Sequence, residues 1–441
     1  MSLGLPGVAS MITLSLYNII DTFWVAQLGH EAIAALTVVM PIHVLVIAFS
    51  VGSGIGISAL ASRRFGEKDI EATNYIAGHI FPIAIFFGSF FVLIVVLFAN
   101  PILKIGGATP DIMEYATQYL VIIAFGAPFL VFAITANELL RGSGDALRPM
   151  IFSITASVTN IILDPFMIFG IGPFTEMGIR GAALATVISQ LLYAGLVLTY
   201  IVILRRSTYR IKLRHLKPSL SILHDIYRVG FPSMITEIME SATFILFNQI
   251  LSGFGSVTLA AGGLAIRIID FAFMPIFGAS GGLLPIVGFS FGARLWHRLW
   301  GSVRLASLGL VLTLSVVTVL LEIFSPHLIS IFTDEPELIT QGIPAMRITV
   351  SMLCLFAPSI MFITTFQGLG KGKDVLFLSL ARQLLFFIPA LFILPSIFGL
   401  IGIWLSIPVS DFAGFILSGL WLFREYKIQK RTSEWVDMPA S

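Results

Sequence analysis

Apolar residues in this chain neither alternate with polar ones nor recur every third or fourth position; they run on in long blocks separated by short polar stretches. About 20 residues at 1.5 Å each cross ~30 Å of hydrocarbon, so each block predicts a membrane-spanning helix. The blocks fall near 3–28, 33–62, 74–99, 114–140, 149–171 and 180–204, and then near 227–254, 258–290, 301–325, 340–369, 375–397 and 400–423. Outer-membrane strands alternate apolar and polar residues over about ten positions, and these blocks do not. The expected fold is an all-α integral membrane protein with twelve transmembrane helices. Several blocks exceed what a bilayer needs, which implies tilt or protrusion.

The loops orient the helices. One set carries Arg63, Arg64 and Lys68; Arg141 and Arg148; Arg205, Arg206, Arg210, Lys212, Arg214, Lys217 and Arg228; Arg294, Arg298 and Arg304; and Lys371 and Lys373, and the tail adds Arg424, Lys427, Lys430 and Arg431. The alternate loops hold only Lys104 and Arg180. Basic residues stay on the cytoplasmic side, so both termini are expected there, in a cell (inner or plasma) membrane. Composition agrees: 57% hydrophobic and 11% charged residues could not cover a soluble surface. The net charge of +2 adds little beyond its distribution. No charged n-region precedes the first block, so no cleavable signal peptide is expected. The chain starts almost inside that helix, which leaves room for a short cytoplasmic leader ahead of it.

Shifted by 226 residues, the chain aligns with itself. Pro6 falls on Pro232, Gly29 on Gly255, Gly52 and Gly56 on Gly278 and Gly282, and Phe65-Gly66 on Phe291-Gly292. After a five-residue slip, Gly178-x-x-Gly181 matches Gly399-x-x-Gly402. Two pseudo-symmetric six-helix bundles follow, and because six is even they form a parallel repeat, an arrangement used by transporters. The expected domains are an N-lobe (1–204), a cytoplasmic basic connector (205–224), a C-lobe (225–426) and a cytoplasmic tail (427–441). For the connector, phospholipid contact is one reading; a solvated linker carrying the orientation signal is the blander and favoured one.

Two acids interrupt the blocks where no water is expected. Asp21 sits within the first and Asp164 within the fifth, followed at once by Pro165. A charged residue at a helix centre costs roughly 2.5–3.5 kcal/mol on insertion scales, so such groups usually face a cavity and handle ions, protons or cationic substrates. Tyr17 lies one turn from Asp21 and Asn160 one turn from Asp164. Pro165 removes a backbone donor and predicts a kink. Carboxylates, amides and hydroxyls together suit Na⁺ or a shared proton. The alternative is that each acid only hydrogen-bonds a neighbouring helix. Further acids are Glu237 and Glu240, with no basic residue within a turn, Asp411 beside Ser410, and Asp270, expected to pair with Arg267. Glu138 is expected to pair with Arg141.

Other chemistry is poorly represented. The lone Cys354 excludes an internal disulfide framework, and the scattered histidines form no ligand pair. The glycine runs Gly52–Gly56 and Gly278–Gly282 read as close helix contacts. Gln367-Gly-Leu-Gly-Lys-Gly-Lys373 is no Walker loop, because no Ser or Thr follows its lysine. Without an ATPase domain, transport is expected to run on an ion gradient, with no enzyme activity, no cofactor and no nucleic-acid partner.

Four strings resemble the multidrug and toxic compound extrusion (MATE) transporters: Leu16-Tyr-Asn-Ile-Ile-Asp-Thr-Phe-Trp-Val-Ala-Gln-Leu-Gly29, Leu140-Arg-Gly-Ser-Gly-Asp145, Asn160-Ile-Ile-Leu-Asp-Pro165 and Gly181-Ala-Ala-Leu-Ala-Thr186. The Asn160-x-x-x-Asp164-Pro165 string is similar to the archaeal and DinF-like branch. The resemblance implies a V-shaped pair of six-helix bundles that export cationic or amphipathic drugs in exchange for Na⁺ or H⁺. It implies an N-lobe cation site of Asp21, Asn160, Asp164 and Thr186, which would hold Na⁺ if Na⁺ is the coupling ion. Tyr17 and Asn137 match polar cavity positions. Glu240, eight residues after Pro232, has the spacing of the seventh-helix acid of NorM-like members, and with Glu237 it joins the expected substrate cavity. A monomer surrounded by membrane lipid is expected. The alternative is a lipid-linked oligosaccharide flippase of the wider superfamily, disfavoured by acidic cavity candidates and by twelve helices where fourteen are usual. The 226 shift sets Asp21 on Phe247 and Asp164 on Ala390, so the lobes are expected to differ chemically.

Overall fold

The computed structural model describes residues 4–204 and 207–432. Leu3 of the expected first span, Arg205 and Arg206 of the connector and tail residues 433–441 lie outside the described residues. Helices account for nearly all of what is described: α1 (Gly4–Ala26), α2 (His30–Gly66), α3 (Ile70–Gly78), α4 (Ile80–Ile105), α5 (Met113–Gly142), α6 (Leu147–Phe169), α7 (Ile179–Leu198), α8 (Leu220–Ser252), α9 (Ser256–Gly292), α10 (Trp296–Ser330), α11 (Pro336–Val350), α12 (Leu353–Gly368), α13 (Gly372–Leu380), α14 (Ile388–Phe398) and α15 (Leu400–Thr432). Short π-helical segments follow α7 at Thr199–Ile203 and α13 at Ala381–Phe387. No strand occurs among the described residues.

Ten helical stretches are long and apolar enough to cross a membrane, and α11 with α12, bent by 45°, make an eleventh. The remaining expected span is α8, which is long enough but carries Glu237, Glu240, Asn248 and Gln249 through its second half. The outward faces confirm the solvent. On α4, Ile85, Phe86, Phe90, Leu93 and Leu97 are all exposed, a helical stripe that suits lipid and not water. The third span is divided at His79, and α4 loses helical geometry at Phe98, three residues before Pro101.

The chain forms two compact units, Met1–Met234 and Ile235–Ser441, with the boundary inside α8. In the first unit α5 is the central post, with α2, α4 and α7 packed around it. Small residues allow the approach: a Cβ at Gly88 of α4 would lie 2.3 Å from Pro128 Cα of α5. On α2, a Cβ at Gly56 would lie 2.2 Å from Ile226 O, so the glycine run seats the first turns of α8. In the second unit one core gathers Val287, Leu314, Met361 and Phe366, and another Phe247, Leu391 and Trp404.

The repeat extends to backbone angles. Gly178 precedes α7 at φ 54°, ψ −132°, and Gly399 precedes α15 at φ 59°, ψ −137°. Only glycine adopts such angles without strain. Three residues on, a Cβ at Gly181 would lie 2.4 Å from Met167 O, and one at Gly402 2.2 Å from Leu394 O.

The connector is not the solvated linker favoured from its charge. His215 is fully buried against Tyr75, and its Nδ1 accepts from Lys212 N–H at 3.1 Å. Arg214 reaches Glu71 at 2.5 Å, Arg210 N–H donates to Asn74 Oδ1 at 2.7 Å, and Ser219 N–H donates to His79 Nε2 at 2.8 Å. Asn74 of α3 and His79 just after it thus satisfy backbone donors that a solvated linker would leave to water.

Candidate functional site

The first unit buries both intramembrane acids, Asp164 completely and Asp21 almost so. Their carboxyl groups lie within hydrogen-bonding reach of each other, joining α1 to α6. Neither forms an ion pair among the described residues, and one oxygen of each (Oδ1) finds no donor. Asn160, one turn before Asp164, turns its amide so that both ends are satisfied: it donates to Asp164 Oδ2 at 2.9 Å and accepts from Thr186 N–H at 3.1 Å. The Tyr17 hydroxyl, from the α1 face that carries Asp21, lies near Thr186. So does the Tyr119 hydroxyl from α5. Asp21, Asn160, Asp164, Thr186 and Tyr17 therefore converge. Pro165 leaves Ile161 O without its intrahelical donor, yet α6 continues unbroken to Phe169.

This pocket has a defined chemistry. Two carboxylates in contact repel unless a proton or a cation lies between them. Beside them stand the hydroxyls of Tyr17, Tyr119 and Thr186 and the Asn160 amide, hard donors suited to a monovalent cation. No group of three or more His, Cys, Asp and Glu side chains that could hold a metal ion is present among the described residues. Along the same face of α7, Ser189 Oγ and Gln190 Oε1 are also buried without partners.

The other expected residues lie elsewhere. Asn137 donates to Tyr193 OH at 2.5 Å, about five turns along α5 from Tyr119. Beside it Glu138 pairs with Arg141 at 3.2 Å, as expected from their spacing. Glu237 and Glu240 stand on α8 within the second unit. Glu240 is held by Arg382 of the second π segment at 3.4 Å, and Arg382 also binds Asp411 of α15 at 3.1 Å. Arg267 and Asp270 do not pair as expected: no ion pair within 4.0 Å joins them, although they are one turn apart on α9. Both side chains are exposed on the surface of α9.

Residues 6–166 and again 232–393 match the MatE family. The chain belongs to that family. Its two matches begin at 6 and 232, the same 226-residue offset at which the sequence aligns with itself. Among curated relatives, the multidrug export protein MepA of Staphylococcus haemolyticus is 24% identical over 98% of this chain and 93% of its own length. MepA of Staphylococcus aureus is 23% identical over 93% and 90%. Among solved structures, an outward-facing multidrug resistance MATE transporter of the MOP superfamily superposes with TM-score 0.91 at 28% identity, covering 98% of this chain and 96% of its own. A MOP superfamily transporter from Pyrococcus furiosus, described by a reversed binding-pocket polarity that suggests a different function, gives the same values. A MATE transporter captured in a bent conformation gives TM-score 0.92.

Two residues of this MatE protein's polar sites escaped sequence reasoning. Tyr119 gave no signal beyond a hydroxyl in an apolar block. Arg382 was visible as a basic residue inside a span, but its partners lie 142 and 29 positions away.

Proposed function

We propose that this MatE protein is a secondary active multidrug efflux antiporter that exports cationic or amphipathic compounds in exchange for Na⁺ or H⁺. The observation that carries the reading is the buried Asp21–Asp164 contact, which has no basic partner among the described residues and one oxygen of each acid unsatisfied. The multidrug export relatives support the substrate class. The coupling cation, as cargo, would sit between the two carboxylates, with Thr186 and Tyr17 hydroxyls beside it and Asn160 fixing Asp164. No cofactor and no catalytic step is invoked. Nothing in this acid-lined pocket favours the flippase alternative, which needs cationic groups for a pyrophosphate.

Coupling follows from how α1 is held. Among its described side chains only Asp21 and Val25, with Gly7, are buried. The charge state of Asp21 therefore governs much of the grip of α1 on α6. A proton or Na⁺ entering from outside relieves the carboxylate repulsion, draws α1 inward and shrinks the space open to drug. Release of the cation to the cytoplasm resets the pair. Each inward charge also draws about 2.3 kcal/mol per 100 mV from the membrane potential. The basic-loop asymmetry supports a cytoplasmic position for both termini. Drug efflux from proteoliposomes of wild type, Asp21→Asn and Asp164→Asn tests the reading: both variants lose gradient-driven export, and export equal to wild type in both would sink it.

A further inference from the structure

The second unit contains a buried cation of its own. Arg382 lies in the π segment between α13 and α14, with a mostly buried side chain. Its Nη1 donates to Asp411 Oδ1 at 3.1 Å and its Nη2 to Glu240 Oε1 at 3.4 Å. The guanidinium lies 5.0 Å from the centre of the Phe356 ring of α12. Gly414, three residues after Asp411 on α15, leaves room for the stem: a Cβ there would come within 3.1 Å of Arg382 Cγ. The next residue, Gln383, accepts a hydrogen bond from Thr243 Oγ1 at 3.1 Å, fixing the segment against α8. Groups from α8, α12 and α15 thus converge on one guanidinium, and the π segment supplies it where a regular helix would rotate it away.

We propose that Arg382 is the resident counter-ion of the second unit and keeps Glu240 from binding a coupling cation, so that the first unit alone couples. A tethered guanidinium in contact with both acids repels any second cation brought to either. Asp411 is the buried anchor. Glu240, 45% exposed and at the longer distance, is the acid that Arg382 silences. Glu237, one turn earlier, forms no ion pair among the described residues and stands outside the triad. Under the 226-residue shift Arg382 falls on Ala156 and Glu240 on Leu14, so the first unit has no counterpart of this arginine.

The inference rests on the reading of Asp21 and Asp164 as the cation site, and the test separates the two. Purified full-length protein in detergent is assayed for ²²Na⁺ bound per chain and for protons taken up over the pH interval in which wild type drives efflux, each as a difference from wild type. Thermal unfolding and size-exclusion chromatography confirm that each variant is folded. Asp164→Asn loses one cation. Glu240→Gln leaves the wild-type count unchanged. Arg382→Gln gains one cation, Arg382→Lys gains none, and Arg382→Gln combined with Glu240→Gln returns to the wild-type count. A folded Arg382→Gln with no gain, or a loss on Glu240→Gln alone, overturns the role of Arg382. An unchanged count in Asp164→Asn overturns the first-unit site and leaves the Arg382 comparison intact.

Discussion

At the scale of single residues, the proposed site rests on Asp21 and Asp164 sharing a pocket with no basic partner among the described residues. The supporting groups differ in weight. Asn160 bonds a carboxylate, and such charge-assisted bonds contribute about 1.5–3 kcal/mol. Asn160→Ala should therefore weaken the apparent affinity for the coupling cation by ~10-fold or more, read from the cation dependence of drug efflux. Tyr119→Phe removes one neutral hydroxyl near Thr186, worth at most the ~0.5–1.5 kcal/mol of a neutral hydrogen bond, and should shift the same affinity by no more than ~10-fold. An Asn160 variant with the affinity of wild type would mean the amide only packs. Asp21, Asn160 and Asp164 were legible in the sequence because a polar group in an apolar block has few reasons to persist, whereas Thr186 came only from the family resemblance. Asn137 satisfied the same rule, yet its partner is Tyr193. The rule detects that a polar group needs a partner and cannot say which one. Arg267 and Asp270 show the same limit: a one-turn spacing permits a pair and does not oblige one.

At the scale of elements, hydropathy placed the spans well and their interruptions poorly. The break at His79, the loss of helical geometry at Phe98 and the two π segments depend on local hydrogen-bond exchange that a hydropathy block does not record. Glycines were more informative. Gly178 holds angles that a Cβ resists, so Gly178→Ala should lower stability by about 1–3 kcal/mol, seen as a drop in thermal unfolding temperature in detergent. An unchanged temperature would show that the turn relaxes freely. The connector offers a second test. A Cβ at Gly78 would overlap His215 O, so Gly78→Ala should lift the connector from α3. Trypsin should then cut after Arg210 and Arg214 faster than in wild type. Equal cleavage rates would contradict a docked connector. Its basic residues had suggested solvation, because charge alone does not reveal that Glu71, Asn74 and His79 await them.

At the scale of the whole molecule, one ancestral unit appears twice with different chemistry. Matching glycine turns before α7 and α15 preserve the frame, while the first unit holds an acid pair and the second an acid–arginine triad. The repeat and the membrane class were readable from sequence because both rest on patterns spread over hundreds of residues. That the two lobes differ in chemistry was also readable from the 226-residue shift; which side chains meet within each unit was not. The central claim is that the Asp21–Asp164 pair couples cation entry to drug export. The most direct measurement is drug efflux from proteoliposomes under separately imposed Na⁺ and H⁺ gradients, comparing wild type with Asp21→Asn, Asp164→Asn and Glu240→Gln. The account predicts that one gradient drives efflux in wild type and in Glu240→Gln, and that neither does so in the two aspartate variants. Efflux driven normally in Asp164→Asn and abolished in Glu240→Gln would contradict it.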